Sequence, residues 1–210
     1  MSFTKINSIL NFQFSYKIWR KITVNSKNNV VDLLKNKINF ENKIIYDLGC
    51  GDGYIYELLF KNFKNNFKYY GFDDNKNYIK NFKKTFAQNV NQLICCDINN
   101  IEKNFPQCDI FFANGLIHHL NDQQVESMFR QLKKKSNSDS VIIHVDPIFY
   151  DNQSKIRRII MSQDRGRYIR SVDKYLILLK NSGLKNYYYE VNNNMSNILY
   201  SNILCCSKFA

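Results

Sequence analysis

The stretch that decides the fold is Tyr46-Asp47-Leu48-Gly49-Cys50-Gly51-Asp52-Gly53-Tyr54. It closes a short β-branched and aromatic run, residues 43–48, and opens a helical one, residues 54–63. Three of the chain's seven glycines fall within five residues here. Glycine takes positive φ and lets backbone approach a ligand closely, so a strand–loop–helix junction of this composition reads as a ligand cradle. The spacing narrows the ligand. A dinucleotide fingerprint needs G-x-G-x-x-G, but Tyr54 stands where the third glycine belongs, and its side chain obstructs close helix–strand approach. Asp47 is unfavourable beside a pyrophosphate and suits a cation or an ammonium group. The Lys-Ser/Thr pair of a Walker loop is absent.

Outward from the loop, short apolar runs alternate with helical stretches. Residues 67–72 read as a strand ending in Asp73-Asp74, 91–96 as one ending in Asp97, and 108–113 as one ending in Asn114-Gly115. Residues 141–145 read as a strand ending in Asp146-Pro147. Helices are expected over 77–87, over 122–134 with Val125, Met128, Phe129 and Leu132 on one face, and over 172–181, stopped by Ser182-Gly183. Two last strands, 187–191 and 198–206, follow each other without a helix and read as a hairpin at one end of the sheet. Strands alternating with helices imply crossover units and a parallel sheet. Continuous apolar runs such as 110–113 and 141–145 suit strands buried on both faces. Ligands of such sheets sit at the carboxyl ends of the strands, and five successive ends here carry Asp or Asn.

The chain has 210 residues, 44% hydrophobic and 15% aromatic, enough for about one large domain with a real core. Residues 1–42 are basic and lack a strand signal. Ile6, Ile9, Leu10, Phe14, Ile18 and Trp19 fit a helical stripe, and Val30, Val31, Leu33, Leu34 and Ile38 a second. We therefore expect an N-terminal helical cap over 1–42, with Trp19, Phe14 and Tyr16 over the cleft, and the main domain over 43–210. The net charge of +12 points toward anionic partners, but most cations are Lys, and the chain also carries 30 Asn, a pairing typical of AT-rich coding. No apolar run reaches the roughly 18–20 residues of a membrane helix, and the N-terminus lacks the apolar centre of a signal peptide. The cysteines (50, 95, 96, 108, 205, 206) form no C-x-x-C pair, so buried, reduced thiols in a cytoplasmic protein are expected.

Residues 46–54 resemble the first motif of class I S-adenosylmethionine-dependent methyltransferases, an acidic residue, an apolar residue, then G-x-G-x-G. The resemblance continues in order. Tyr70-Gly71-Phe72-Asp73 is similar to the second motif, Cys95-Cys96-Asp97-Ile98 to the third, and residues 109–120, ending His118-His119-Leu120, to the fourth in its small-molecule form. It implies a Rossmann-like three-layer α/β/α sandwich: a mostly parallel seven-stranded sheet with an antiparallel C-terminal hairpin strand. It implies S-adenosylmethionine as cofactor, with S-adenosylhomocysteine as product, held by Asp47, Gly49, Cys50, Gly51, Asp73, Asp74, Asp97, Ile98 and Asn114. Asp47 would take the methionine ammonium, Asp73 the ribose hydroxyls, Asp97 the adenine amino group, and the Ile98 amide the ring. Asp74 departs from the pattern, standing where the family commonly has an apolar residue. No metal is required.

His118 and His119 follow the fourth strand on the acceptor side. Neighbours on a helix point about 100° apart, so one is expected to face the cavity as a catalytic group while the other packs or caps; His119 is preferred. Gly115-Leu116 stands where an amino-directed enzyme of this family would carry Pro and an aromatic, which argues against exocyclic amines of nucleobases. The second half holds a cap-like insert over about 148–170. Four of the seven arginines lie between 158 and 170, and Arg forks bind carboxylate or phosphate in ways Lys does not match. Tyr150, Arg165, Arg167 and Tyr168 are therefore the candidate acceptor contacts, with Arg165 or Arg167 gripping an anionic group. The reading is a methyltransferase acting on a small or medium-sized, anionic metabolite. An RNA methyltransferase, for which the +12 charge speaks, and a catalytically silent binding subunit are the alternatives. Intact Asp47, Gly49, Gly51, Asp73 and Asp97 argue against the second. The absence of an appended RNA-binding motif argues against the first.

Overall fold

The computed structural model describes residues 29–86, 90, 92–96, 105–164, 166–195 and 200–210. The expected helix over residues 6–19, with Phe14, Tyr16 and Trp19, lies outside the described residues, as do Asp97, Ile98 and Arg165.

Strands β1 (Ile44–Leu48), β2 (Lys68–Asp73), β3 (Gln92–Cys95), β4 (Cys108–Asn114), β5 (Ser136–Phe149), β7 (Leu184–Asn192) and β8 (Asn202–Phe209) form one sheet in the order β3-β2-β1-β4-β5-β8-β7. The two-residue strand β6 (Arg170–Ser171) pairs with the end of β5. All pairings from β3 to β5 are parallel, and β8 runs antiparallel to both β5 and β7. The final two strands are antiparallel partners as expected, but β8 slots one place inside the sheet and leaves β7 at the edge. The chain winds outward from β1 to β3 and returns beside β1 as β4. That reversal puts the carboxyl ends of β1 and β4 side by side, the place where open α/β sheets bind ligands.

Alternation along the central strands explains the three layers, because successive side chains point to opposite faces. Ile45, Ile110 and Phe112 enter one apolar cluster with Ile55, Tyr56 and Leu59 of α2 (Tyr54–Phe63) and Ile79 and Phe82 of α3 (Lys76–Phe86). Tyr46, Leu48, Phe111 and Ala113 enter the other, with Val125, Met128, Phe129 and Leu132 of α4 (Asp122–Lys133) and Tyr175, Leu178 and Leu179 of α6 (Val172–Asn181). Tyr46 is wholly buried, and its hydroxyl donates to the Pro106 carbonyl at 2.6 Å. Val30, Val31 and Leu34 of α1 (Val30–Leu34), with Phe40, belong to the first cluster, so residues 30–40 share the main core.

Local signals set the helix ends. Asn121 caps α4 through a reciprocal box with Gln124, and Ser171 caps α6. The insert contains α5 (Lys155–Ser162), capped by Ser154. Strand β5 runs well beyond its expected five residues. Its start pairs with Cys108 across a register shift, and its end, Ile148 and Phe149, pairs with β6.

Gly53 starts α2 at φ +96°, and a Cβ there would lie 2.9 Å from the Phe82 ring of α3. Left-handed strain and overpacking therefore act together. Gly53→Ala is expected to lower stability by about 2–4 kcal/mol, measured as a drop in urea midpoint at unchanged slope.

Candidate functional site

The β1–α2 loop is hung on the end of β2. Gly49 and Cys50 amides both donate to the Phe72 carbonyl, at 2.8 and 3.0 Å. The Gly51 amide donates to Asp73 Oδ2 at 2.9 Å, and the Asn75 amide donates to Asp73 Oδ1 at 2.8 Å. One carboxylate thus joins the glycine loop to the β2–α3 turn. Gly49 and Gly51 sit at φ +69° and +55°, a backbone path that side-chain-bearing residues follow only with strain. Burial pushes the Asp73 carboxyl up, the two amides pull it down, and neighbouring Asp74 pushes it up again.

Asp47 is wholly enclosed at the end of β1. The Tyr69 hydroxyl of β2 donates to its Oδ2 at 2.5 Å, while its Oδ1 is buried with no hydrogen-bond partner among the described residues. Burial raises this carboxyl to about 7; the Tyr69 bond opposes the shift and the Asp73 charge adds to it. A buried carboxylate oxygen without a donor is costly. The partner chemistry that relieves it is an N–H donor, best a cation. Cys50 is buried beside both carboxylates, and burial raises its thiol well above the ordinary range. Asp74 is exposed, and Asn114 is half-buried at the end of β4.

A second polar centre lies at the ends of β4 and β5. The 3₁₀ turn Ile117–His119 separates the two histidines. His118 is buried; its Nδ1 lies 2.7 Å from Asp146 Oδ1 and its Nε2 3.4 Å from Asp164 Oδ1. Burial acts to lower the imidazole, but the two carboxylates prevail and lift it to about 9. His119 is exposed, with its ring centroid 4.1 Å from that of His118. The glycine loop abuts this turn, since a Cβ on Gly49 would come within 3.1 Å of Leu116 Cδ1.

The insert runs along the same edge. Tyr150 is half-buried, and its hydroxyl accepts from Asn193 Nδ2 at 3.1 Å. Arg167 and Tyr168 are exposed. Arg170, absent from the candidate list, is buried. Its guanidinium donates to Asp122 Oδ1 and to the carbonyls of Ile117, Leu120 and Tyr168. It clamps the insert to the start of α4. Tyr69, Asp164 and Arg170 were not expected as site residues. Tyr69 lies mid-strand and reads as core, and Asp164 reads as a loop acid. Arg170 carried a signal, as one of the clustered arginines.

A glycine loop after β1, buried carboxylates after β1 and β2, and this strand order with β8 reversed define the fold of the class I methyltransferases. Residues 45–137 match the family model described as a methyltransferase domain. The matched segment carries the glycine loop, both strand-end carboxylates and the pair His118-His119, so over that segment the chain is similar to methyltransferase domains, and its fold is that of S-adenosylmethionine-dependent methyltransferases of known structure. A carboxy-S-adenosyl-L-methionine synthase of Campylobacter jejuni is 24% identical over 150 residues, which is 71% of this chain and 63% of that protein. Among solved structures, a TehB-like S-adenosylmethionine-dependent methyltransferase of Corynebacterium glutamicum superposes with a TM-score of 0.66 at 14% identity, covering 94% of this chain and 97% of that one. The geranyl diphosphate C-methyltransferase of Streptomyces coelicolor, solved with geranyl diphosphate and S-adenosyl-L-homocysteine, gives 0.67 at 10% identity, covering 86% and 79%. The chain spans less than two thirds of the length of the curated relative. Among the described residues no helix is long and apolar enough to cross a membrane.

Asp47 is expected to titrate near 7 in the ligand-free protein, as seen by carboxyl carbon NMR. Tyr69→Phe removes the bond that favours the carboxylate, so its midpoint should move further up. An ordinary midpoint near 4 in either protein would contradict the geometry.

Proposed function

We propose that the chain binds S-adenosylmethionine between the ends of β1 and β2 and passes its methyl group to a small, anionic acceptor. The observation that carries this reading is the buried Oδ1 of Asp47, which has no hydrogen-bond partner among the described residues, at the root of the positive-φ glycine loop. The residues fit the cofactor. Asp47 would accept from an ammonium group. Each Asp73 oxygen takes one backbone amide and keeps a second lone pair for a ribose hydroxyl. Asp97 and Ile98 are assigned to the adenine on their motif, and Gly49, Cys50, Gly51, Asp74 and Asn114 to the walls of the cleft. When bound, the cofactor supplies a methyl group on a positively charged sulfur, so proximity and alignment carry much of the acceleration.

The protein's part is then to orient and to exclude water. Arg167, Arg165, Tyr168 and Tyr150 are proposed to receive the acceptor, the arginines taking its anionic end. His119, exposed at the ends of the strands, is the group proposed to take a proton where the acceptor must lose one. A small acceptor is supported by the Streptomyces coelicolor neighbour, whose bound substrate is a diphosphate. The Campylobacter jejuni relatives favour a second reading, in which S-adenosylmethionine is itself modified to a carboxylated form.

One incubation separates the readings. S-adenosylmethionine labelled in its methyl group, mixed with fractionated metabolites and RNA, should yield S-adenosylhomocysteine and label in a small anionic molecule. A carboxylated nucleoside product, seen by mass, would replace methyl transfer with the second reading. Label in RNA would overturn the small acceptor. Asp73→Ala should weaken S-adenosylhomocysteine binding by about 1–3 kcal/mol by calorimetry. With the labelled acceptor in hand, Arg167→Ala should raise its KM about tenfold, a loss of about 1.4 kcal/mol, and leave cofactor affinity unchanged.

A further inference from the structure

The second polar centre is more than a neighbour of the cofactor cleft. Both ring nitrogens of His118 face carboxylate oxygens, Asp146 at 2.7 Å and Asp164 at 3.4 Å. A neutral imidazole has one N–H and one lone pair. One nitrogen would then set its lone pair against a carboxylate, so the imidazolium is the form that satisfies both. A ring in that state has no lone pair with which to accept a proton from a substrate.

The surroundings tie this ring to the insert. Asp146, on β5, is wholly buried; it also accepts from the His118 amide at 3.1 Å and from the Tyr175 hydroxyl of α6 at 3.1 Å. Behind Tyr175 stands His144, 3.0 Å from its hydroxyl, which burial holds neutral by pushing it down to about 4. On the outer side, Asp164 accepts from the Tyr200 hydroxyl at 2.5 Å and from the Gly166 amide at 2.7 Å. The Tyr168 amide donates to the His118 carbonyl at 2.9 Å. Gly166 is pressed on the ring, so that an added Cβ would lie 1.9 Å from His118 Cδ2. The Arg170 guanidinium grips the carbonyls on either side of the same turn, and the His119 ring lies tilted at 40° against that of His118.

We infer that His118 is a charged latch: clamped between Asp146 and Asp164, it fixes Asp164 and residues 166–168 against the ends of β4 and β5 and so positions Arg167 and Tyr168. His118 is thereby a positioning residue, and the acceptor wall is a preformed surface. That the wall meets an acceptor rests on the function proposed above; the latch itself does not. The sign of its pH dependence follows. His118 has a folded pKa above the unfolded value of about 6.5, so its contribution is fully present below that value. It is lost as pH rises through about 9. Asp164 is held well below the ordinary carboxylate range despite burial, through His118, Tyr200 and the Gly166 amide. Its contribution is lost only in strong acid.

The chain has three histidines, so nitrogen NMR of the full chain labelled in histidine reads the latch directly. His119→Gln assigns the exposed ring, and His144 is the ring that stays neutral. His118 should carry both N–H protons at pH 7.5 and lose one near pH 9, and Asp164→Asn should lower that midpoint by about one unit. Trypsin cleavage after Arg167, followed by mass, should quicken about tenfold in Asp164→Asn, which removes the outer charge. It should quicken similarly in Gly166→Ala, which removes the contact and no charge. S-adenosylhomocysteine affinity should stay within about twofold in both variants. A neutral His118 at pH 7.5, or unchanged cleavage in both variants, overturns the latch. Failure of S-adenosylhomocysteine to bind the unaltered protein contradicts the proposed function and leaves the latch standing on the other two readouts.

Discussion

Two carboxylates buried at the ends of adjacent parallel strands are the constraint on which this site depends. Taking a carboxylate out of water costs several kcal/mol unless hydrogen bonds or charge replace the solvent. Asp73 is compensated by two backbone amides, and supplying them dictates the course of the loop. The Gly51 amide reaches it from a loop that follows positive φ at Gly49 and Gly51, and the Asn75 amide from the turn after β2. Asp47 is compensated at one oxygen by Tyr69 and at the other by none of the described residues. The parallel register sets Asp47 opposite Gly71. Any side chain at 71 would strike Leu93, the Cys50 thiol and the Tyr69 ring. Position 71 therefore has no room for a side chain that could donate to the uncompensated oxygen, and a cationic ligand is the chemistry that would satisfy it.

The positive charge of the chain divides once the structure is in view. Arg170 is internal, donating to a carboxylate and three carbonyls, and joins the insert to α4. Arg157 and Arg158 each donate to a carbonyl, of Tyr200 and Tyr150, and hold α5 against the strand ends. Arg167 remains exposed beside Tyr168. Among the described residues the arginine cluster thus holds two kinds: guanidiniums that organise the insert and, at Arg167, one that is exposed. Fixed guanidinium forks suit the first task because several N–H groups bond at once.

Much of the fold was legible because its signals are local. The spans of α2 and α6 followed from apolar spacing, and the Ser182-Gly183 stop fell where α6 ends. Alternation of strand and helix was enough for the parallel sheet, and Asp47 and Asp73 stood out as acids ending strands beside glycines. What stayed hidden depends on contacts between distant segments. Strand β5 is long because Cys108 and Arg170 pair with its two ends, and β8 enters the sheet by pairing with β5 across some sixty residues. α5 is amphipathic but only eight residues long, too short for periodicity to declare it. Tyr69 reads as one more core aromatic, and only its hydroxyl on Asp47 gives it a role. The pair His118-His119 was visible, while the split between a buried ring and an exposed one follows from Asp146 and Asp164, far along the chain.

The central claim is that Asp47 waits, partly protonated, for a cation. Calorimetric titration with S-adenosylmethionine near pH 7, repeated in two buffers of different ionisation heat, tests it most directly. A protonated Asp47 must give up its proton to accept from an ammonium group. Binding should therefore release a fraction of a proton, and Asp47→Asn should abolish the release. Binding with no proton exchange, or no binding at all, would contradict the account.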